Sequence, residues 1–400
     1  MSKLDELIKK YCPDGVEYKK LGDIATISRG GNFQKKDYVS TGVPCIHYGQ
    51  LYVHYNLFTD NVITYIHKDK AVKQKFAEPT DIIMAVTSEN IEDVCKSIAW
   101  LGEEKVAVSG HSAIIHHSMN PKYLAYYLNS LHFYKQKVKL AHGTKVIEVT
   151  PSALNEVSLP VPPLPVQEEI VRILDSFTSL TAELQDKLNT ELQARKKQYE
   201  YYKHHLLHRS DKVVELASVA YYVKERINAN MVDKTTYVGV DNLLQNCEGK
   251  VISNHVPTDG KLIKYMPNDI LIGNIRPYLR KIWFADNIGG TNGDVLTIRL
   301  NDNSGTEPKY LYHVLSSDDF FIYDTNNAKG AKMPRGNKDA VMKYKFSVPT
   351  LLEQRKIADI LEHFYAICND ITTGIPAEIA ARQKQYEYYR DKLLTFKELS

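Results

Sequence analysis

The chain has 400 residues, 43% of them hydrophobic and 25% charged, with a formal net charge of +3 at pH 7. That length exceeds one ordinary core, so two or more domains are expected, and so mild a charge excludes neither nucleic-acid nor protein partners. Five scattered cysteines (Cys12, Cys45, Cys95, Cys247, Cys368) form no C-x-x-C pair, and no apolar run approaches the ~18 residues that span a bilayer; zinc ribbons, disulfide frameworks and a membrane partner are not expected, and a cytoplasmic chain is.

Residues 1–12 are charged and amphipathic, so they are not expected to form a signal peptide. Ser2–Tyr11 reads as a short helix stopped by Cys12-Pro13-Asp14-Gly15. From Leu21 to Pro160, strand-like runs (Ile24–Ile27, Val43–Ile46, Asp81–Val86, Lys105–Val108, Ala113–His116) alternate with Gly, Asn and Asp turns. One helix is expected over Pro121–Leu140, with Asn120 as N-cap and Pro121 at N1. Pro160-Val161-Pro162-Pro163-Leu164-Pro165 reads as a stiff linker that no central strand could accommodate. After Leu207 the strand-rich pattern restarts over Leu216–Val348, with strands at Asp269–Ile272 and Val295–Leu300.

The rest of the chain is organised by a repeat. Glu191-Leu-Gln-Ala-Arg-Lys-Lys-Gln-Tyr-Glu-Tyr-Tyr202 returns as Glu378-Ile-Ala-Ala-Arg-Gln-Lys-Gln-Tyr-Glu-Tyr-Tyr389, an offset of 187 (378 − 191). Both copies are helical in pattern. Apolar or aromatic residues fall at Ile170, Ile173, Phe177, Leu180, Leu184, Leu188, Leu192, Tyr199, Tyr202 and Leu206, and again at Ile357, Ile360, Phe364, Ile367, Ile371, Ile375, Ile379, Tyr386, Tyr389 and Leu393. Steps of three and four make a coiled-coil seam, and the consecutive steps of four from Leu180 and from Ile367 make a stutter. The first run would be ~60 Å long at ~1.5 Å per residue. Gly374 and Pro376 should break or kink the second. The same offset relates Asn120-Pro121-Lys122-Tyr123-Leu124 to Glu307-Pro308-Lys309-Tyr310-Leu311, and Gly143 to Gly330. Upstream the offset drifts, to 188 for Asp81 and Asp269 (269 − 81). The expected fold is therefore α+β: two mixed strand-rich domains separated by two long helices, which pair as an antiparallel coiled coil with pseudo-two-fold symmetry. Boundaries are placed at 1–160, 161–210, 211–348 and 349–400. Each helix covering only its own domain is the plainer alternative.

Catalytic signals are few. No G-x-x-x-x-G-K-[ST] loop and no Asn/Asp-Pro-Pro-aromatic run is present. Asp81 with Glu103-Glu104-Lys105 imitates a nuclease metal site, but a hairpin turn explains Glu103–Lys105 as well and the second half has no counterpart. His116 and His117, adjacent on a strand, must point to opposite faces. His204 and His208 stand i,i+4 on a helix, yet the second copy does not repeat them, so a solvated face is expected. His111 fits a structural histidine and a ligand contact equally. What recurs is basic and amide-rich sequence at matching places. The first half offers Lys135, Lys137, Lys139, His142, Thr144 and Lys145, with a polar run containing Thr87, Ser88 and Asn90. The second offers Lys329, Lys332, Arg335, Lys338, Lys343 and Lys345, with Asn274, Arg276, Tyr278 and Arg280 in one stretch. Arg suits guanine edges, Asn adenine edges and Lys phosphate. A single charge run is ordinarily a solvated face; recurrence on both halves favours double-stranded DNA.

The chain resembles the specificity subunits of type I restriction-modification systems. The resemblance spans nearly its whole length. It rests on Lys9-Lys10-Tyr11-Cys12-Pro13-Asp14-Gly15-Val16-Glu17-Tyr18, on Pro162-Pro163-Leu164-Pro165-Val166-Gln167-Glu168-Glu169-Ile170, on Val348-Pro349-Thr350-Leu351-Leu352-Glu353-Gln354-Arg355-Lys356-Ile357, and on both Lys-Gln-Tyr-Glu-Tyr-Tyr helices. Pro165-Val166 departs from the pattern that Leu352-Glu353 keeps. The resemblance implies two target-recognition domains, each reading half of a split site, no catalysis by this chain, and a complex with two methyltransferase subunits and restriction subunits. S-adenosylmethionine, ATP and Mg would belong to those partners. The DNA-facing set is expected among Thr87, Ser88, Asn90, His111, His142, Thr144, Lys145, Asn274, Arg276, Tyr278, Arg280, Lys329, Lys332 and Arg335. Gln198, Tyr201, Gln385 and Tyr388, off the helix seam, are expected to bind the methyltransferase subunits. A coiled-coil scaffold without DNA specificity is the alternative, and a metal-dependent nuclease a weaker one.

Overall fold

Unbroken apolar runs at Ile82–Ala85 and Ile270–Gly273 form strands buried along their whole length, as a strand covered on both faces requires. Each lies at the centre of one of two units into which the chain divides, residues 1–186 with 379–400 and residues 187–378. The computed structural model describes residues 2–370 and 373–399.

In the first unit Ser2 closes a capping box on the helix Lys3–Tyr11. Strand Ile82–Ala85 runs antiparallel between Ser112–His117 and Ser97–Trp100. Ala25–Arg29 and Phe58–Thr59 complete this five-stranded sheet. A second five-stranded sheet contains Val43–Ile46 and Val106–Val108 at its middle. Ile83, Ala85, Ile98, Trp100, Val106, Val108 and Ile114 form one core cluster; Ile82, Met84 and Ile115 join the tyrosine-rich helix Pro121–Leu128 in another. The second unit repeats the plan with two four-stranded sheets, the first ordered Ala220–Tyr222, Val295–Leu300, Ile270–Gly273, Ile282–Phe284.

Three expectations need correction. The expected helix 121–140 is two helices, Pro121–Leu128 and Leu131–Leu140, because Ser130 uses its hydroxyl to cap the second by accepting from Phe133 N. Ser317 does the same for Asp318–Asn327 in the other unit. The run at 24–27 begins as a short helix, Leu21–Ile24, and only then becomes the strand Ala25–Arg29. Pro160 is not linker but the end of an edge strand, Ser158–Pro160, paired with Tyr18–Lys20, a position that needs no N–H from proline.

The repeat extends to individual hydrogen bonds. Gln167 is buried; its Oε1 accepts from Asn120 N (2.9 Å) and its Nε2 donates to Pro162 O (2.6 Å). Gln354, its counterpart, accepts from Glu307 N (2.8 Å) and donates to Pro349 O (2.9 Å). Each Gln thus fastens the start of a long helix to the N-cap of a domain helix. Lys122–Asp175 (2.7 Å) and Lys309–Glu362 (2.5 Å) are matching ion pairs. Buried Asp81 and Asp269 both close a turn, accepting from Glu78 N and Met266 N at 2.8 Å.

The first long helix runs unbroken from Leu164 to Leu207. The second run is two helices, Leu351–Asn369 and Ile375–Leu393, parted at Gly374 with Pro376 in the first turn of the latter. Ile371 lies outside the described residues. In the first unit the pairing is antiparallel: Thr178 Oγ1 meets Tyr386 OH (2.9 Å), while Gln185 Nε2 donates to Gln383 Oε1 (3.1 Å). In the second, Tyr199 packs on Tyr365 and Tyr202 on Phe364. The seam is not closed throughout. Leu180, where the first run's consecutive steps of four begin, is 62% exposed, and Ile360 is 43% exposed. The division into units falls within both long helical runs, after Asp186 and after Glu378.

Candidate nucleic-acid interface

In the second unit the backbone gathers two basic loops. Gly336 N donates to Asn274 O (3.0 Å) and Arg276 N to Pro334 O (2.7 Å). Lys329 and Arg335 exchange both backbone hydrogen bonds. This sets Arg276, Lys329, Lys332 and Arg335, all exposed, on one pair of loops. Arg276 holds a left-handed backbone, φ +54°. A non-glycine residue persists there only where its surroundings over-determine it, a condition that clusters at functional sites. Gly330, φ +102°, opens the second loop, as Gly143, φ +107°, opens its counterpart. Arg335 Nη2 lies 3.1 Å from Asp294 Oδ1 and remains 60% exposed. Tyr278 is exposed on the short helix Pro277–Leu279.

Two residues that this unit contributes to the expected set do not face outward. Asn274 is buried, and its side chain and that of the buried Asp324 both crowd Gly336, where a Cβ would come within 2.7 Å of Asn274 Oδ1 and 2.8 Å of Asp324 Oδ1. Its carbonyl, accepting from Gly336 N, joins the loops. Burial pushes the Asp324 carboxyl up to about 6, so it is largely protonated in mild acid. Arg280 turns inward, paired with Asp318 at 2.5 Å and set over the Phe321 ring. There it lines a cavity of about 720 Å³ with Lys203 and His313. Burial drives the His313 ring down to about 3, which leaves it neutral.

In the first unit Thr87–Ser88 pairs with Ile147–Glu148, and His142 exchanges backbone hydrogen bonds with Glu148. These pairings hold the exposed turn His142-Gly143-Thr144-Lys145 beside Ser88. Thr87 is buried, contrary to expectation, and its Oγ1 lies 3.2 Å from His111 Nδ1. It orients an exposed His111, whose ring also meets Tyr48 at 5.0 Å. The exposed Asn90 spends its amide on Asp93. Tyr48, Tyr52, Thr87, Ser88 and Asn90 line a shallow cavity of about 340 Å³. The sequence did not single out the two tyrosines; 27 tyrosines in the chain give no signal for these two. Lys137, part of the basic run, is buried with Nζ donating to Glu92 O and Val94 O at 2.7 Å.

The family model for the type I restriction modification DNA specificity domain matches residues 13–194 and again 211–381. A Haemophilus influenzae protein assigned as a type I restriction enzyme specificity subunit is 31% identical over 95% of this chain and 96% of its own length. The chain belongs to the type I restriction-modification specificity subunits. The Escherichia coli EcoR124I/EcoR124II specificity subunit is 30% identical over 69% of this chain and 70% of its own. Two solved folds agree, each at 14% identity: a chain from a type I R-M system (TM-score 0.68, covering 96% of this chain and 98% of that one) and the HsdS subunit of Thermoanaerobacter tengcongensis (TM-score 0.57, covering 96% of each).

A specificity subunit is the recognition part of its complex and not itself an enzyme. Among the described residues Asp81, Glu103 and Glu104 do not form a group that could hold a metal ion; Asp81 accepts from Glu78 N and lies 2.7 Å from His116 Nδ1. His116 is exposed and its neighbour His117 buried, as a strand dictates. No described helix is long and apolar enough to cross a membrane.

The off-seam helix residues repeat closely. Gln198 accepts from Arg195 Nη1 (2.8 Å) and Gln385 from Arg382 Nη1 (2.9 Å). Tyr201 and Tyr388 are 58% and 61% exposed, each edge-on to the tyrosine that follows. Exposed aromatic rings held by a rigid helix suit a protein interface.

Proposed function

We propose that this subunit reads a bipartite DNA site, one half by each unit, and carries the methyltransferase and restriction subunits to it in the cytoplasm. The observation that carries the reading is the contrast between a repeated hydrogen-bonded frame and unrepeated exposed loops. One frame with two sets of side chains suits two different half-sites. In the second unit Arg276 addresses a base edge, and Lys329 and Lys332 address phosphate. In the first, Ser88, His111, His142, Thr144 and Lys145 form the reading surface. Gln198 with Tyr201, and Gln385 with Tyr388, each seat one of two methyltransferase subunits. S-adenosylmethionine, ATP and Mg serve those partners and the restriction subunits.

Sequencing of methylated sites in DNA from cells that carry this chain with its methyltransferase partner tests the proposal. The expected motif has two specified blocks and an unspecified gap. A continuous motif would overturn it, and duplex binding without salt dependence would favour a mere scaffold. Four residues inserted after Leu188 lengthen the helix by ~6 Å. The same two blocks are then expected with a wider gap.

A further inference from the structure

Each unit joins the end of a long helix to a domain helix at the same three positions, and the two junctions are built from different chemistry. In the first unit the positions carry Asp391, Thr395 and His132. Leu131 N donates to Asp391 Oδ1 (3.3 Å), and His132 Nε2 meets Asp391 O (3.1 Å) and Thr395 Oγ1 (2.8 Å). Hydrogen bonds link those three positions. At the offset of 187 the second unit carries His204, His208 and Asp319 instead (391 − 187, 395 − 187, 132 + 187). Here His204 Nδ1 and His208 Nε2 stand 3.3 and 3.5 Å from one oxygen, Asp319 Oδ2, a looser closure.

The three ligand atoms lie within 4.8 Å of one another, and no other group of three such residues exists among the described residues. One ring is already set for coordination. His208 Nδ1 lies 2.7 Å from His204 O. A carbonyl oxygen can only accept, so Nδ1 carries the proton and Nε2 keeps its lone pair toward Asp319. Ligands ~2.0–2.1 Å from one Zn²⁺ stand about 3.3 Å apart, close to the two separations from Asp319 Oδ2. The groups are partly open to solvent, so water can complete the shell.

We propose that His204, His208 and Asp319 bind one late first-row divalent cation, Zn²⁺ best. The ion clamps the end of the long helix to the helix Asp318–Asn327, replacing the hydrogen-bonded joint of the first unit. Two imidazoles with one carboxylate suit Zn²⁺, Ni²⁺ or Co²⁺ and disfavour Mg²⁺ and Ca²⁺, which take oxygen donors.

The full chain, stripped with chelator and titrated with Zn²⁺ against a chromophoric competitor, tests the clamp. One Zn²⁺ per chain is expected, together with a rise in unfolding temperature that Mg²⁺ does not produce. His208→Ala and Asp319→Asn, both on the surface, should unfold as wild type does without metal, yet lose the Zn²⁺-dependent rise and bind Zn²⁺ more than about tenfold more weakly. His132→Ala, in the other joint, should leave Zn²⁺ binding unchanged. No bound Zn²⁺ in the wild type, or undiminished binding and stabilisation in His208→Ala and Asp319→Asn, would overturn the assignment.

Discussion

The two units solve the same packing problem with the same residues and part company wherever they meet solvent at a loop. Gln167 and Gln354, Tyr123 and Tyr310, and Ser130 and Ser317 hold equivalent bonds at a constant offset. The loops do not correspond: Arg276 in its left-handed turn faces no basic counterpart near Ser88 and Asn90. The frame tolerates little change because its bonds are buried, while the loops can vary without cost to the fold.

The sharpest way to break the comparison is at the shared aspartate. Asp269 is buried and receives a bidentate Arg299, at 2.8 Å to each oxygen, whereas Asp81 meets a solvent-exposed His116. Asp269→Ala takes the bidentate partner from a partly buried guanidinium, leaving it paired to Glu225, and is expected to cost ~3 kcal/mol. Asp81→Ala should cost about 1–2 kcal/mol. Urea denaturation of both variants checks this, and equal losses would mean that the two turns are equivalent after all. Next come the glutamines. Gln167→Leu and Gln354→Leu each leave a buried N–H and carbonyl unpaired, for ~2–3 kcal/mol apiece. A large difference between those two losses would break the claim of a common frame.

The reading loops give the next effect. Arg276→Ala is expected to cost ~1–3 kcal/mol and relax one base position. Lys329→Ala or Lys332→Ala should weaken all sequences alike and lower the salt slope by about one. Binding measured against single-base variants of the site separates the two behaviours; uniform loss for Arg276→Ala would count against its role.

The smallest effect is electrostatic. Asp324, with its carboxyl raised to about 6 against an unfolded value of 3.8, binds more protons folded than unfolded between those limits. Stability therefore falls as pH rises through that window and stays reduced above it. Asp324→Asn should remove the penalty, gaining on the order of 2 kcal/mol at pH 7.5 and little at pH 3.5. Unfolding free energies at the two pH values check it, and an unchanged difference would show that the buried carboxyl carries no such penalty.

Most of the frame was legible because the repeat and the periodicities are local properties of the chain. The break at Gly374 and the strands Val43–Ile46 and Val295–Leu300 follow from residue type and spacing alone. The interface was legible only as a set of loops. Asn274, Thr87 and Arg280 look like readers in sequence, but their placement depends on distant neighbours, Gly336, His111 and Asp318, that no spacing reveals. The break at Ser130 was missed because its hydroxyl serves the backbone and not the helix face, so apolar periodicity passes through it unmarked. Asp319 beside His204 and His208 was invisible for the same reason as Asp318 beside Arg280: both meetings join segments remote in sequence.

The central claim is that each unit reads its own half of the site. Exchange of residues 215–348 for the equivalent region of a relative, followed by methylome sequencing, tests it most directly. One block of the methylated motif should change to that of the relative, while the other block and the gap stay as they were. A change in both blocks, or in the gap alone, would contradict the account.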